Sequence, residues 1–437
     1  MLFEYLKSII VDFKKDLISL IKKVNLLEGL FLTFLLVSQS FYFYRYILRY
    51  GSGISPSGYQ LTPFIFQVSK FVIAVVFLLV MLGTLLKYFS LKKVLDAFSR
   101  KIIWWLIFLF LAYVTISLLK FGIRPDSFGI SQTAKMVFVI PFVFFIPFVF
   151  SKETLFKLLK IFFVFSLVYH ILYETVTIAL FWFFGRLPGL AFADKLPRFG
   201  GGWDDPNTFG AFLVLIIISL IVYESEKASN KRGVVFSVLL AILFFFLLYT
   251  YSITALLGLG LSILILLLLR KISIRNIFVM FFSGLFFSFY NFYFKYIDIL
   301  INVKKGSVTV HLAETGKQAL DQDATLLAAT VQAIFGRFDK PTFNENLYIQ
   351  LYVNYGLIAV FLLSLILLLT IFRAYKGLSI AKDNKSKIVF LISFVYLIAF
   401  AFMNFGIPFF QIFPLNLFVW LMIGLVWVIG GKEAARN

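Results

Sequence analysis

Apolar runs of roughly eighteen or more residues recur along this chain, separated by short polar turns. That is the pattern of helices that cross a bilayer, not the short alternating segments of a barrel strand. The runs fall at 29–46, 63–86, 102–120, 134–150, 158–184, 207–223, 234–250, 252–269, 277–298, 346–372, 387–404 and 411–430. They predict an all-α polytopic membrane protein of about twelve transmembrane helices. The seventh and eighth runs are separated only by the short turn around Thr250. Before the first run, residues 1–28 interleave Leu17, Ile18, Leu20 and Ile21 with Lys14, Lys15, Lys22 and Lys23 at roughly helical spacing. This predicts an amphipathic helix lying on the membrane surface, and its lack of an uninterrupted apolar core argues against a cleavable signal peptide.

One stretch leaves the alternation. From 299 to 345 the chain stays polar and mixed in charge before it enters the tenth run. Loops of this length are uncommon and usually functional, so the stretch is expected to roof a site on one side of the membrane. Two parts of it look helical, 315–320 and 321–336. In the second, Leu327, Val331 and Ile334 fall on one face, and Gly336 reads as a stop. The predicted organisation is therefore an interfacial helix at 1–28, spans one to nine within 29–298 with an outer loop at 185–206, a large outer loop or lid at 299–345, spans ten to twelve within 346–430, and a tail at 431–437.

Composition sharpens the picture. The chain is 61% hydrophobic and 20% aromatic, with a net charge of +20. The charge does not imply nucleic-acid binding, because the basic residues sit in short turns where they set topology and meet anionic headgroups. With the N-terminus inside, the inner segments hold the five lysines of 1–28 and Lys87, Lys92, Lys93, Arg100, Lys101, Lys152, Lys157, Lys160, Lys227, Lys231, Arg232, Arg270, Lys271, Arg275, Arg373, Lys376, Lys382, Lys385, Lys387, Lys432 and Arg436. Both termini are then expected in the cytoplasm. The loop at 185–207, the turn at 250–252 and the stretch at 299–346 then all fall on the outer face. Without cysteine, disulfides and thiolate metal sites are excluded, and with His170 and His311 as the only histidines a multi-histidine metal site is not expected.

Four segments could carry chemistry. The first is Arg198-Phe-Gly-Gly-Gly-Trp-Asp-Asp-Pro-Asn-Thr-Phe-Gly210. Gly200 and Gly201 allow close backbone approach to a ligand. Asp205 before proline marks a turn, and Asn207 or Thr208 is placed to cap the next helix. An arginine beside a helix start suits a phosphate, although a glycine-rich re-entry loop with a headgroup anchor has the same composition. The second is Tyr249-Thr-Tyr-Ser-Ile-Thr254, whose Thr250 and Ser252 hydroxyls more commonly satisfy backbone carbonyls than ligands. The third is the long stretch itself, with His311 as a candidate base and Lys317 and Arg337 among its cations. The fourth runs from Phe343 to Gly356. There Glu345 stands at the mouth of a span as a base or a simple cap, beside Asn346 and Tyr348, and Gln350 and Asn354 recur on one helix face that should look into protein or a wet cavity.

In order, spacing and sidedness, these segments resemble the O-antigen polymerase and O-antigen ligase superfamily of bacterial membrane glycosyltransferases. Arg198…Asp205-Pro-Asn207 resembles that family's arginine–glycine–(Asn/Asp)-Pro-Asn segment, and Thr250-x-Ser252 its Thr-x-Ser-Arg segment. Asn346-Leu-Tyr…Tyr355-Gly-Leu-Ile resembles the segment that follows its large loop. The chain departs at Ile253, where the family has arginine, and at Glu345, where ligases carry histidine; the second departure favours a polymerase. The resemblance implies a GT-C-like fold in the bacterial cytoplasmic membrane. It also implies transfer of a growing glycan from polyprenyl diphosphate to a sugar hydroxyl of a second lipid-linked repeat unit, without metal or other cofactor. Arg198 would hold the diphosphate with Lys317 or Arg337, Glu345 or His311 would be the base, and Gly200, Gly201, Asp205, Asn207, Thr250, Ser252, Asn346 and Tyr348 would shape the site. The implied partners are the lipid-linked donor and acceptor, membrane lipid, a chain-length regulator and a flippase. A ligase acting on a lipid A core is the near alternative. A polysaccharide-lipid flippase is the alternative of another class, although such transporters tend to gather charge at mid-membrane.

Overall fold

The computed structural model describes residues 26–39, 102–119, 150, 152–184, 190–193, 196–200, 206–226, 233–293, 330–331, 334–335, 346–406 and 415–434. Apart from one hairpin, the regular structure among them is helical: α1 (Leu26–Gln39), α2 (Ile102–Leu119), α3 (Lys152–Phe184), α4 (Pro206–Glu226), α5 (Gly233–Tyr249), α6 (Ile253–Leu268), α7 (Ile274–Tyr293), α8 (Leu347–Ile380), α9 (Asn384–Met403) and α10 (Leu415–Ala434). A helix pairs its backbone groups within one segment, which is what an apolar run needs in lipid. Helices α3, α4, α8 and α9 are long and apolar enough to cross a membrane, while α2, α5, α6, α7 and α10 have shorter apolar stretches. The fold is that of an α-helical membrane protein.

Each of these helices overlaps one of the apolar runs. The runs at 63–86 and, except for Phe150, 134–150 lie outside the described residues, as does 1–25 of the expected interfacial helix. The helices extend past some expected bounds. α3 starts at Lys152 and α8 continues to Ile380, so both carry basic residues on helical turns beyond the apolar stretch. The loop after α3 is not wholly irregular: β1 (Leu190–Ala193) pairs antiparallel with β2 (Leu196–Phe199), with Ala191 opposite Arg198.

The centre of the bundle is α4, of whose span 78% is buried within the protein. It packs on α5, α6 and α9, and more lightly on α10. α9 in turn packs on α6, α8 and α10, α8 rests on α2, α9 and α10, and α7 covers α5. Fully buried Phe209, Phe212, Tyr396, Phe400, Phe418 and Trp420 fill the interior. On α7, Phe278, Phe281, Phe282, Phe286 and Phe289 are exposed, as expected for a surface that faces lipid chains.

From α3 to α10 successive helices run in opposite directions, so the bundle has two ends. At one end, Lys152 at the start of α3 donates to Asp383 before α9 (2.7 Å), Lys271 donates to Glu226 (2.7 Å), and Arg275 pairs with Glu224. Among the described residues, every Lys and Arg except Arg198 lies on segments at this Asp383 end. The opposite end carries the starts of α4, α6, α8 and α10, and the Thr250–Ser252 turn and Asn346 lie there.

Candidate functional site

The corner formed by α4 and the α5–α6 turn brings the first two segments together. Pro206 opens α4, where its missing N–H and fixed φ are no handicap. Asn207 and Thr208 therefore lie inside the first turn and are not its cap. One turn on, Gly210 faces the α5–α6 connection so closely that a Cβ there would stand 2.9 Å from Ala255 Cβ and 3.1 Å from Thr250 Oγ1. Glycine is required at this position by approach, not by its dihedrals.

The turn itself is held by its own hydroxyls. Thr250 Oγ1 donates to the Leu247 carbonyl (2.6 Å) and accepts from the Ser252 amide (3.2 Å). Ser252 caps α6, its Oγ accepting from the Ala255 amide (3.3 Å). Between them Tyr251 sits in the left-handed region at φ 48°, which costs a non-glycine residue about 1–2 kcal/mol. Its buried ring packs against Phe287 of α7 (5.5 Å) and Tyr249 (6.2 Å), which offsets that cost. Thr250 and Ser252 thus act through the backbone they shape.

The end of α9 joins this corner to α8. The Tyr396 hydroxyl donates to the Ala211 carbonyl of α4 (3.2 Å). Gly406, just past α9, is packed against Thr254, and Gly258 of α6 against Met403. On the other side, the Leu347 amide donates to the Asn404 carbonyl (2.9 Å), and the Tyr348 hydroxyl to the Ala401 carbonyl (2.8 Å). The Tyr348 ring stacks obliquely on Phe405 at 4.7 Å. Asn346 caps α8, its Oδ1 accepting from the Tyr348 and Ile349 amides.

The long polar stretch reaches the same helix. Its described residues Thr330, Val331, Ile334 and Phe335 are helical, within the part expected to be so. Gly356 interrupts α8 with φ 78° and ψ −178°, and a Cβ there would collide with the Ile334 carbonyl and the Phe335 amide. The glycine of the Asn354-Tyr355-Gly356 segment is therefore both a backbone break and the seat on which the far end of the stretch docks.

Among the expected site residues, Asn207, Thr250, Ser252, Asn346 and Tyr348 lie at one end of the bundle. Arg198 is on β2, which touches α4 and α5, and Gly200 is buried just beyond it. The Arg198 side chain is not among those described, and Gly201, Asp205, His311, Lys317, Arg337 and Glu345 lie outside the described residues.

Buried polar groups collect here too: Thr208, Thr250, Ser252, Gln350, Asn354, Asn404 and Asn416. Asn404 and Asn416 were missed, since one amide inside an apolar run gives no periodic signal. His170 and Glu174, one turn apart on α3 and fully buried, were not among the expected site residues, although Glu174 stands out in the sequence as a charge within a span. The His170 ring lies 5.2 Å from both Phe209 and Phe212, which puts Glu174 about level with the start of α4. Their four-residue spacing in an apolar run was the available signal. Among the described residues, no group of three histidine or acidic side chains is placed to hold a metal ion.

The arrangement brings an arginine-bearing hairpin and neutral amides to one end of the bundle, which suits a phosphorylated, hydroxylated ligand. No protein-family model matches the chain, and no curated protein matches it either.

Proposed function

We propose that the protein polymerises lipid-linked oligosaccharide repeat units, moving a growing glycan from polyprenyl diphosphate to a sugar hydroxyl of another lipid-linked unit. The observation that carries this is the convergence of segments distant in sequence: the Gly210 corner, the Thr250–Ser252 turn and the Asn346 cap lie at one end of the bundle, and the Ile334–Phe335 seat lies about 13 Å along α8 from that cap. Arg198 is the one Lys or Arg among the described residues at that end, and the remainder lie at the other. That asymmetry favours placing the polar end on the outer face of a bacterial cytoplasmic membrane, with both termini inside. On this reading the full chain makes about twelve crossings in a GT-C-like arrangement, and it serves O-antigen or a related surface polysaccharide.

The acceptor hydroxyl oxygen attacks the anomeric carbon from the face opposite the diphosphate. The new glycosidic bond forms as the bond from the anomeric carbon to the diphosphate oxygen breaks, and polyprenyl diphosphate leaves with the electron pair. Arg198, with Lys317 or Arg337, stabilises the charge on that leaving group. Glu345, or else His311, takes the acceptor proton, a contribution of about 10²–10⁴-fold. Diphosphate already leaves well once a guanidinium meets it, so the bond changes balance without a further co-reactant.

The test uses purified protein in lipid nanodiscs with a polyprenyl-diphosphate-linked repeat unit. Elongated glycan is the expected product. Arg198→Ala should nearly abolish elongation in a protein that still folds, and Glu345→Gln should depress turnover more than binding. Wild-type elongation by Arg198→Ala would remove the role given to it. Transfer only to a lipid A core acceptor would make the protein a ligase, and movement of the lipid without transfer would make it a flippase.

A further inference from the structure

Two primary amides at the Asn346 end are buried with polar atoms left unpaired. Asn416, in the first turn of α10, is fully buried, and among the described residues neither its Oδ1 nor its Nδ2 finds a hydrogen-bond partner; Gln350, in the first turn of α8, is 3% exposed and its Oε1 likewise finds none among them. Leaving such groups buried and unpaired costs folding free energy, whereas an apolar side chain of similar size would not. Stability therefore does not account for either residue.

The two lie at the same height. Helices α8 and α10 pack together and run in the same direction from this end. Below Gln350, the Tyr355 carbonyl accepts from the Tyr113 hydroxyl of α2 (2.6 Å). Below Asn416, on the same face of α10, Trp420 meets Phe110 of the same α2 face (6.5 Å). Each amide is thus one to two turns above a contact with one short patch of α2. Asn354, one turn along α8 from Gln350, adds a third buried amide to that side.

A primary amide offers an acceptor oxygen and two donors with no charge. That set matches the hydroxyls and acetamido groups of a sugar and has nothing to offer a diphosphate that a cation would not do better. We infer that Gln350 and Asn416 form a subsite for a neutral sugar ring of the lipid-linked glycan, separate from the Arg198 side that meets phosphate. This rests on the polymerase reading for the lipid-linked nature of the ligand. Both amides are covered, so the sugar enters as neighbouring side chains move aside. The unpaired amides lower the cost of that movement, because they gain partners when it happens.

The experiment compares wild type with Gln350→Met and Asn416→Leu, purified in nanodiscs of neutral phospholipid. Two probes are titrated: polyprenyl diphosphate, and the same lipid carrying one N-acetylhexosamine. The wild type should bind the sugar-bearing lipid at least about tenfold more tightly than the bare one. Each variant should lose most of that increment, bind the bare lipid as before, and unfold at the same temperature as wild type or above it. A variant that melts lower would show that the amide is paired structurally and overturn the inference. So would an increment that survives both substitutions, or a wild type that does not distinguish the two lipids. Binding is read without transfer, so the two ideas fail separately. Amide-dependent sugar binding without any elongation would sink the polymerase and leave the subsite, and elongation with an amide-independent increment would do the reverse.

Discussion

Replacing Gly356 with alanine tests how the long polar stretch is held to the membrane bundle. Gly356 has φ 78° and ψ −178°, a region that is essentially closed to residues with a Cβ and costs about 1–3 kcal/mol to occupy. A second cost adds to the first. The Cβ would be driven into the Ile334 carbonyl and the Phe335 amide, and backbone atoms cannot rotate away as a side chain tip can. Two relaxations are open. Either α8 straightens through position 356 and loses the seat, or the 330–335 segment lifts off. Both undock the stretch, and the backbone cost alone lowers the docked population by roughly five- to 150-fold. The chain has no cysteine, so spin labels at Phe335→Cys and Phe361→Cys, both exposed positions, report the docking distance cleanly. A single short distance is expected when glycine is kept, and a longer, broader one should dominate in the Gly356→Ala variant. Elongation should fall with it, while the melting temperature of the bundle changes less. An unchanged distance distribution would refute the seat and the mechanical link drawn from it.

Two further perturbations probe the two ends. At the corner, Gly210→Val should lower the unfolding midpoint more than Gly210→Ala, because the added atoms meet Ala255 and Thr250 at contact distance or closer, an overpacking cost of about 1–3 kcal/mol; equal midpoints for all three proteins would contradict the close approach. At the other end, burial pushes the Asp383 carboxyl up, but hydrogen bonds from Lys152 and from the Ser386 hydroxyl and amide, with the Lys152 charge, hold it well below the usual carboxylate range. A carboxyl depressed on folding stabilises above its unfolded value of about 3.9 and loses that contribution as pH falls towards its folded value. Thermal melts in detergent should therefore show an acid-labile component that Asp383→Asn removes, and an identical pH profile in the variant would exclude it.

The helices were legible because lipid leaves an apolar run little alternative to a helix. The short break between the seventh and eighth runs was legible for the same reason, as Thr250 and Ser252 are the first polar pair in a long apolar stretch. Their chemistry was legible only in kind. Both hydroxyls bind backbone, as their residue type suggested, but the packing of Gly210 against them depends on helices meeting from different parts of the chain. The β1–β2 hairpin was not legible: four residues per strand, with Pro197 in the second, give too little alternation to register. The positive φ at Gly356 was hidden too, since a glycine inside an apolar helix is ordinary in membranes. Asn404 and Asn416 were hidden by their isolation. The bases proposed from sequence, Glu345 and His311, fall outside the described residues, so their assignment rests on the chemistry that the transfer needs.

The placement of Arg198 ties these strands of reasoning together. Charge sidedness explains the other described lysines and arginines, because cations held on one side fix the topology. It does not explain Arg198, which lies against that asymmetry. The hairpin that carries it touches α4 and α5, the same two helices whose ends meet at Gly210 and Thr250. The arginine is therefore on a short sheet that touches both helices of this close-packed corner, and not on a free loop. Sites that must meet developing charge benefit from such mounting, because a donor set in advance costs no reorganisation when the charge appears. It follows that the glycine corner and the cation should be coupled. A bulky residue at position 210 should weaken binding of the bare polyprenyl diphosphate, although it touches no phosphate, and should leave the docking distance between Phe335 and Phe361 unchanged. If diphosphate binding is indifferent to the corner, then Arg198 is not held by it, and its position against the charge asymmetry needs another cause.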